Sequence, residues 1–360
     1  MITICRRDKN KIILYKTEKN DLNELNFSNI NLEGGLLSFQ SAQRCDFTNA
    51  NLVWTHWRQS DISGSTLNNA NLTKSSLVFA KLRYIRANNV TMNCVLAAAA
   101  DFSGSIMIGA SMNDAYFAGC DFTRCDLSKS EMKHTNLERV KFIQTYLRES
   151  ILSYSWFSFV FPSERQLTRL AVFQKTDISK SIFYRTDLRG LDLTDTIHEK
   201  ANFENAFYDI DTKWPEDVNP KKTGALLLYP GMNIARMDFN NVHLAASNLN
   251  NINASNINFH GAYLHNSDFS HGNLKQADLS FCNLNHTLFE KSNLREASLL
   301  NADVLRCNFR NADLRGADMR FDIKQFNEHK SINNDFTLKN AKYDKTTLWP
   351  DGFDPKEWDR

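Results

Sequence analysis

The sequence is poor in the residues that usually punctuate a fold, with 13 glycines and 6 prolines in 360 positions. It also lacks charge of one sign: the formal net charge is +2, which gives neither the basic field expected of a nucleic-acid binder nor a strongly acidic surface. No stretch approaches the roughly 18 consecutive apolar residues of a membrane span. The start, "MITICRRDKNKIILYKT", alternates apolar and polar residues and has no signal-peptide apolar core. It predicts a β-hairpin cap over 1–20 with "DKNK" at the turn, and a cytoplasmic protein unless a route independent of a signal peptide exports it. What remains is a globular composition, 42% hydrophobic and 23% charged, heavy in Phe, Leu and Asn.

Those residues recur with a period of five. From Leu22 every fifth residue is apolar, through Phe27, Leu32, Leu37, Ala42, Phe47 and Leu52 to Leu147, Leu152 and Phe157, 28 positions without a polar one. The period resumes at Ile178 and reaches Tyr208; it resumes again at Ile234 and runs to Met319, with Leu338 and Tyr343 closing it. Two residues before each large apolar one usually stands a small one, as at Cys45, Ala50, Thr55 and Ser60. The position immediately before is often Asp or Asn, and we assign it to corners. Five matches neither the helical period of 3.6 nor the strand period of 2, so every unit must contain a turn. A coil with short sides and regular corners satisfies the pattern, and stacked coils build a core no single unit could bury.

The segments "NADLRGADM", "NANLTKSSL" and "GCDFTRCDL" carry a close match to A(D/N)LXX, and on them the chain resembles the pentapeptide-repeat family over about 275 residues. The resemblance implies an all-β solenoid: a right-handed quadrilateral parallel β-helix with four pentapeptides to the coil. Here it would have about fourteen coils in two blocks, with a short helical insertion. It also implies an absence of catalysis and of cofactors, and includes members that protect DNA gyrase or topoisomerase by binding it.

Three breaks interrupt the count. Residues 158–174 show a capping-box start at Ser163 and Gln166 followed by Leu167, Leu170 and Ala171, which predicts a short helix. Residues 215–231 read as a linker between a first solenoid at 21–214 and a second at 232–350. Residues 320–335 form a further insertion, and 351–360 a tail. Each block ends on the same phrase, "YDIDTKWP" and "YDKTTLWP". We read Tyr208, Trp214, Pro215 and Tyr343, Trp349, Pro350 as terminators, the proline ending ladder pairing and the tryptophan covering the open coil end.

Residues that suggest chemistry have simpler explanations here. Cys45, Cys120, Cys125, Cys282 and Cys307 fall on the small inward position. No two of them are separated by one full coil, the spacing that would stack them, so they read as core thiols. His243, His260, His265, His271 and His286 show no metal-ligand spacing and read as solvated surface residues. Asp46, Asp121, Asp126, Asp278, Asp313 and Asp318 suffice as corner formers. No nucleophile–base set or phosphate loop is present, so no catalytic, cofactor or metal residue is expected.

Folding the sequence back after every fourth pentapeptide groups Leu36, Phe39, Val78, Phe79, Leu96, Tyr116, Trp156 and Phe159 on one side, pointing outwards. Exposed apolar surface of this kind marks either an interface or the landing place of the 158–174 insertion. A second alignment, Lys275, Arg295 and Arg315, predicts a basic ladder. The function expected is a non-catalytic protein-interaction scaffold acting through the apolar side and loops, with a homodimer or another protein as partner. The alternative is modulation of a topoisomerase.

Overall fold

The computed structural model describes residues 2–7, 12–157, 170–321, 323–328 and 336–359. Ile2–Cys5 and Ile13–Thr17 pair antiparallel as the expected hairpin. From there the chain coils as an all-β solenoid in which residues one coil apart are bridged in parallel: Asn26 with Asp46, Asp46 with Thr66, Leu36 with His56. Four pentapeptides make one coil, each contributing one short side.

One unit shows why. Phe47 points inward and is fully buried; Thr48 and Asn49 turn the chain, and the Ala50 N–H closes the turn on the Phe47 carbonyl at 3.0 Å. Asn49 takes φ +57°, the left-handed conformation that such a turn requires at its third residue. This corrects the reading of the acidic residues. Asp46 and its counterparts stand on the flat side, in the bridge ladder, and not in the corner. Their carboxylates cap the corner instead, accepting the N–H two residues on, from Thr48 to Asp46 at 2.9 Å and from Thr123 to Asp121 at 2.9 Å.

Large inward residues on neighbouring coils stack on each other. Phe102, Phe122 and Phe142 lie with ring centroids 5.0 and 5.6 Å apart and nearly parallel, and Phe269, Phe289 and Phe309 repeat this at 5.5 and 5.2 Å. The small inward position tolerates a polar atom because the coil below supplies an acceptor. Cys45 donates to the Leu22 carbonyl, Cys120 to that of Ala97 and Cys125 to that of Phe102, and Ser105 and Thr135 bond likewise to Leu82 and Met112. The five cysteines are therefore buried thiols, and burial pushes Cys125 up to about 12.

The first and third breaks are insertions into a ladder that continues past them. Lys141–Ile143 pairs in parallel with Val172–Gln174, across the first break, with the Phe173 ring tilted against Phe142 at 5.2 Å. Leu170 to Gln174 is thus not the end of a helix: Ala171 is buried and Val172–Gln174 is a strand. Ser163, Gln166 and Leu167 lie outside the described residues. The α-helix that is described, Ile323–Glu328, falls in the other insertion, where Phe326 packs against Phe336 and Trp358.

The Trp-Pro phrases do not simply stop the count; they lengthen one step to six. Lys213 bridges Asp192 and Leu348 bridges Asp318, which puts Trp214 and Trp349 on the inward position of the next side. Trp214 meets Tyr208 edge-on at 5.5 Å and Phe203 at 5.0 Å; Trp349 meets Tyr343 edge-on at 5.6 Å. Thr212 and Thr347 play matching parts, donating to the carbonyls of Leu188 and Leu314 one coil below. Pro215 and Pro350 are buried. After Pro215 the chain forms a 3-10 turn at Pro220–Lys222 and returns to the ladder, the Leu226 N–H reaching the Ala206 carbonyl at 2.7 Å. The chain divides into two compact units, one ending at Leu226 and the other starting at Leu227, so much of the expected linker belongs to the first solenoid.

Candidate interaction face

One side of the first unit is a continuous ladder of Leu36, His56, Ser76, Leu96, Tyr116, Asn136, Trp156 and Asp187. Each is followed by an inward residue and then by two outward ones. Leu36, Phe39, Phe79, Leu96 and Tyr116 are exposed, from 39% for Tyr116 to 68% for Phe39. Val78 and Trp156 are half-buried, and Phe159 lies outside the described residues. Phe39 and Phe79 occupy the left-handed corner position, with φ +63° and +58°. A bulky side chain is disfavoured there by about 1–2 kcal/mol, and neither ring gains burial in the core in return.

The side changes character along its length. At one end Arg7 Nη1 donates to His56 Nε2 at 3.4 Å, and the Arg58 guanidinium lies 5.8 Å from the centre of the Phe79 ring. Burial, and then the Arg7 charge, pull the His56 pKa down, so the ring is the neutral acceptor. In the middle Ala98, Ala99, Ala118 and Gly119 form a stretch of small residues, and a Cβ on Gly119 would meet nothing closer than 4.0 Å. At the far end Trp156 Nε1 donates to Glu138 Oε1 at 3.3 Å, while burial raises the Glu138 carboxyl. One coil further, Asp187 and Arg189 form a two-pronged ion pair, both bonds 2.8 Å and both side chains almost fully buried. Sequence reasoning missed this pair; its signal was "TDLRG", opposite charges flanking an inward leucine.

Two exposed aromatics on other sides of the first unit are also met by the adjacent coil. Lys74 Nζ lies 5.1 Å from the Trp54 ring centre, and Tyr84 lies over Gly104, where a Cβ would come within 2.5 Å of it.

In the second unit Lys275, Arg295 and Arg315 do stack, because Asn273, Asn293 and Asp313 are bridged in one ladder. The ladder is not a bare cationic strip. Arg315 grips Asp313 at 2.9 and 2.6 Å, Arg320 grips Asp318 at the same distances, and Lys275 is 3.6 Å from Glu296. Arg315, with Arg295 contributing less, holds the Asp313 carboxyl below its usual range.

The histidines also depart from expectation. His243 is buried, stacks on Tyr263 at 5.7 Å and meets His265 at 5.8 Å. Burial, with a smaller push from His286, drives His265 down to about 4. His286 accepts a hydrogen bond from Arg306 at 2.9 Å. Among the described residues no three His, Cys, Asp or Glu side chains are grouped to hold a metal ion, and no helix is long and apolar enough to cross a membrane.

The sequence profile described as "Pentapeptide repeat region" matches residues 228–299, and that described as "Pentapeptide repeats (8 copies)" matches 45–83, 98–133 and 301–321. The chain belongs to the pentapeptide-repeat family. Several solved structures of pentapeptide-repeat proteins are similar to it. HetL, involved in heterocyst differentiation regulation in Nostoc sp. strain PCC 7120, is 16% identical over 83% of this chain and 92% of its own, with a TM-score of 0.18. QnrB1, a plasmid-mediated fluoroquinolone resistance protein, is 13% identical over 56% and 88%, with a TM-score of 0.29. Rfr23 from Cyanothece 51142 is 24% identical over 33% and 86%, with a TM-score of 0.14. No curated protein matches the chain.

Proposed function

We propose that this pentapeptide-repeat protein is a non-catalytic, cytoplasmic interaction scaffold whose docking surface is the Leu36–Tyr116 side of the first unit. The observation that carries the reading is the exposure of Leu36, Phe39, Phe79, Leu96 and Tyr116 on neighbouring coils of one side. Two of these are phenylalanines in left-handed corners, a placement the fold does not need. Contiguous apolar surface with aromatic anchors is what protein interfaces use at their centres. A rigid solenoid holds such anchors in place without an ordering cost on binding.

The test is affinity capture from native cells with wild type, Phe79→Asp, Tyr116→Asp and, as a control on another side, Trp54→Asp. Partner recovery lost in the first two and kept in the third supports the reading; equal recovery in all four removes it. The alternative that follows from the family resemblance is modulation of a topoisomerase. The net charge of +2 does not favour mimicry of DNA. A supercoiling assay with and without a fluoroquinolone tests it, and no effect at excess protein sinks it.

A further inference from the structure

We propose that the occupant of this side is an acidic amphipathic helix of a partner protein, laid along the stack of coils with a carboxylate on Arg58. The inference rests on the reading of this side as a docking surface and adds the chemistry of the partner.

Charge points to it. Between Leu36 and Gly119 the outward residues of this side include one cation, Arg58, and no carboxylate. Arg7 of the hairpin adds a second cation where it reaches the neutral His56. Among the described residues neither arginine has a carboxylate partner. The next carboxylate along the side, Glu138, is engaged by Trp156 and stands beside Arg139. Cations elsewhere in the first unit are answered internally, Arg44 by Glu24, Arg83 by Asp101 and Lys141 by Asp121. An exposed cation among apolar side chains, with no internal anion, favours a partner that brings one.

Relief and spacing point to a helix. Three rows run along the side. Leu36, Leu96 and Tyr116 stand exposed in one, Phe39 and Phe79 in another. The row between them is low: Ser38, Val78 and Ala98 are half-buried and Ala118 is buried, with Arg58 its one long residue. Coils repeat about every 4.8 Å and helical turns about every 5.4 Å, so a helix in this trough meets about one coil per turn. Phe39 and Phe79, two coils apart, then match apolar residues at i and i+7. A Glu or Asp at i+3 or i+4 falls opposite Arg58 in the coil between. An extended strand has no such match, because its same-face side chains recur about every 6.7 Å.

Selection on the full chain from a displayed library of helices of about 18 residues decides it, with apolar residues fixed at i and i+7 and the rest random. The recovered sequences are expected to carry Asp or Glu at i+3 or i+4. Their affinity, read by fluorescence anisotropy, should fall about tenfold with Arg58→Glu, fall further with Phe79→Asp, and hold with Trp54→Asp. A recovered peptide with Lys in place of that carboxylate should bind Arg58→Glu better than wild type. Both variants fold: Glu33 and Glu204 already stand at the step of Arg58, and Asp114 has the corner conformation of Phe79. No recovered helix, no acidic bias, or an affinity that ignores Arg58→Glu each overturn the proposal. So does binding to vesicles of phosphatidylserine and phosphatidylcholine in place of the helices. Binding that needs Phe79 and ignores Arg58 overturns the acidic partner and leaves the docking surface standing.

Discussion

Two ladders, one on each unit, have the same backbone and opposite surface chemistry. In the second unit two pentapeptides place Asp before the inward residue and Arg after it, so Asp313 and Asp318 neutralise Arg315 and Arg320 within their own repeats. On the apolar side of the first unit the residues before the inward one are Leu36, His56, Ser76, Leu96 and Tyr116, and none of them is a carboxylate. The difference shows that an outward position in this fold is free of the core's demands and closes on itself only if its own repeat or the next coil supplies a partner.

The largest effect should separate inward from outward aromatics. Phe122, stacked between Phe102 and Phe142, is fully buried, and Phe122→Ala should cost about 3–5 kcal/mol in chemical denaturation. Phe79→Ala should change stability by less than about 0.5 kcal/mol. A loss comparable to that of Phe122→Ala would mean the exposed ring serves the fold.

Acid should act next, and on the second unit. His265 is held neutral in the folded protein, at about 4 against an ordinary 6.5, so the unfolded chain binds more protons between those values. Stability is then fully present above pH 6.5 and lost as the pH falls towards 4, by on the order of 2 kcal/mol. His265→Gln should flatten that slope, read from denaturation midpoints at about pH 7 and about pH 4.5.

Thiol labelling gives a comparison of exposure. Cys94 is exposed and Cys5 partly so, and these should react with a thiol reagent in the native state, whereas the five inward cysteines should react only on unfolding. The smallest effect belongs to the paired ladder. Wild type should bind phosphocellulose weakly, and Asp313→Asn with Asp318→Asn should raise the salt needed for elution by uncovering Arg315 and Arg320. No change would mean those arginines are already available.

Most of the core was legible because the five-residue period is imposed by packing: an inward residue every fifth position leaves no other solution. The corner was misplaced because Asp46 and Asn49 are both turn-type residues, and only backbone conformation separates the one that caps from the one that turns. The Trp-Pro phrases were recognised as a pair, but the six-residue step that carries Trp214 and Trp349 inward needed the bridge partners Asp192 and Asp318. The burial of His243 and the partial burial of His265 were not legible, because outward positions of the repeat look alike in sequence whether or not anything lies against them. The apolar side could be read from the sequence only after folding it at four pentapeptides to the coil. Which members stay exposed, Phe79 but only partly Trp156, depended on contacts such as that with Glu138.

The central claim is that the Leu36–Tyr116 side docks protein. A photo-crosslinking amino acid placed at position 79, compared with one at position 54 and followed by mass spectrometry from native cells, tests it most directly. The account predicts discrete crosslinked protein from position 79, diminished by Leu96→Asp, and little from position 54. Equal crosslinking from both positions, or none from position 79, would contradict it.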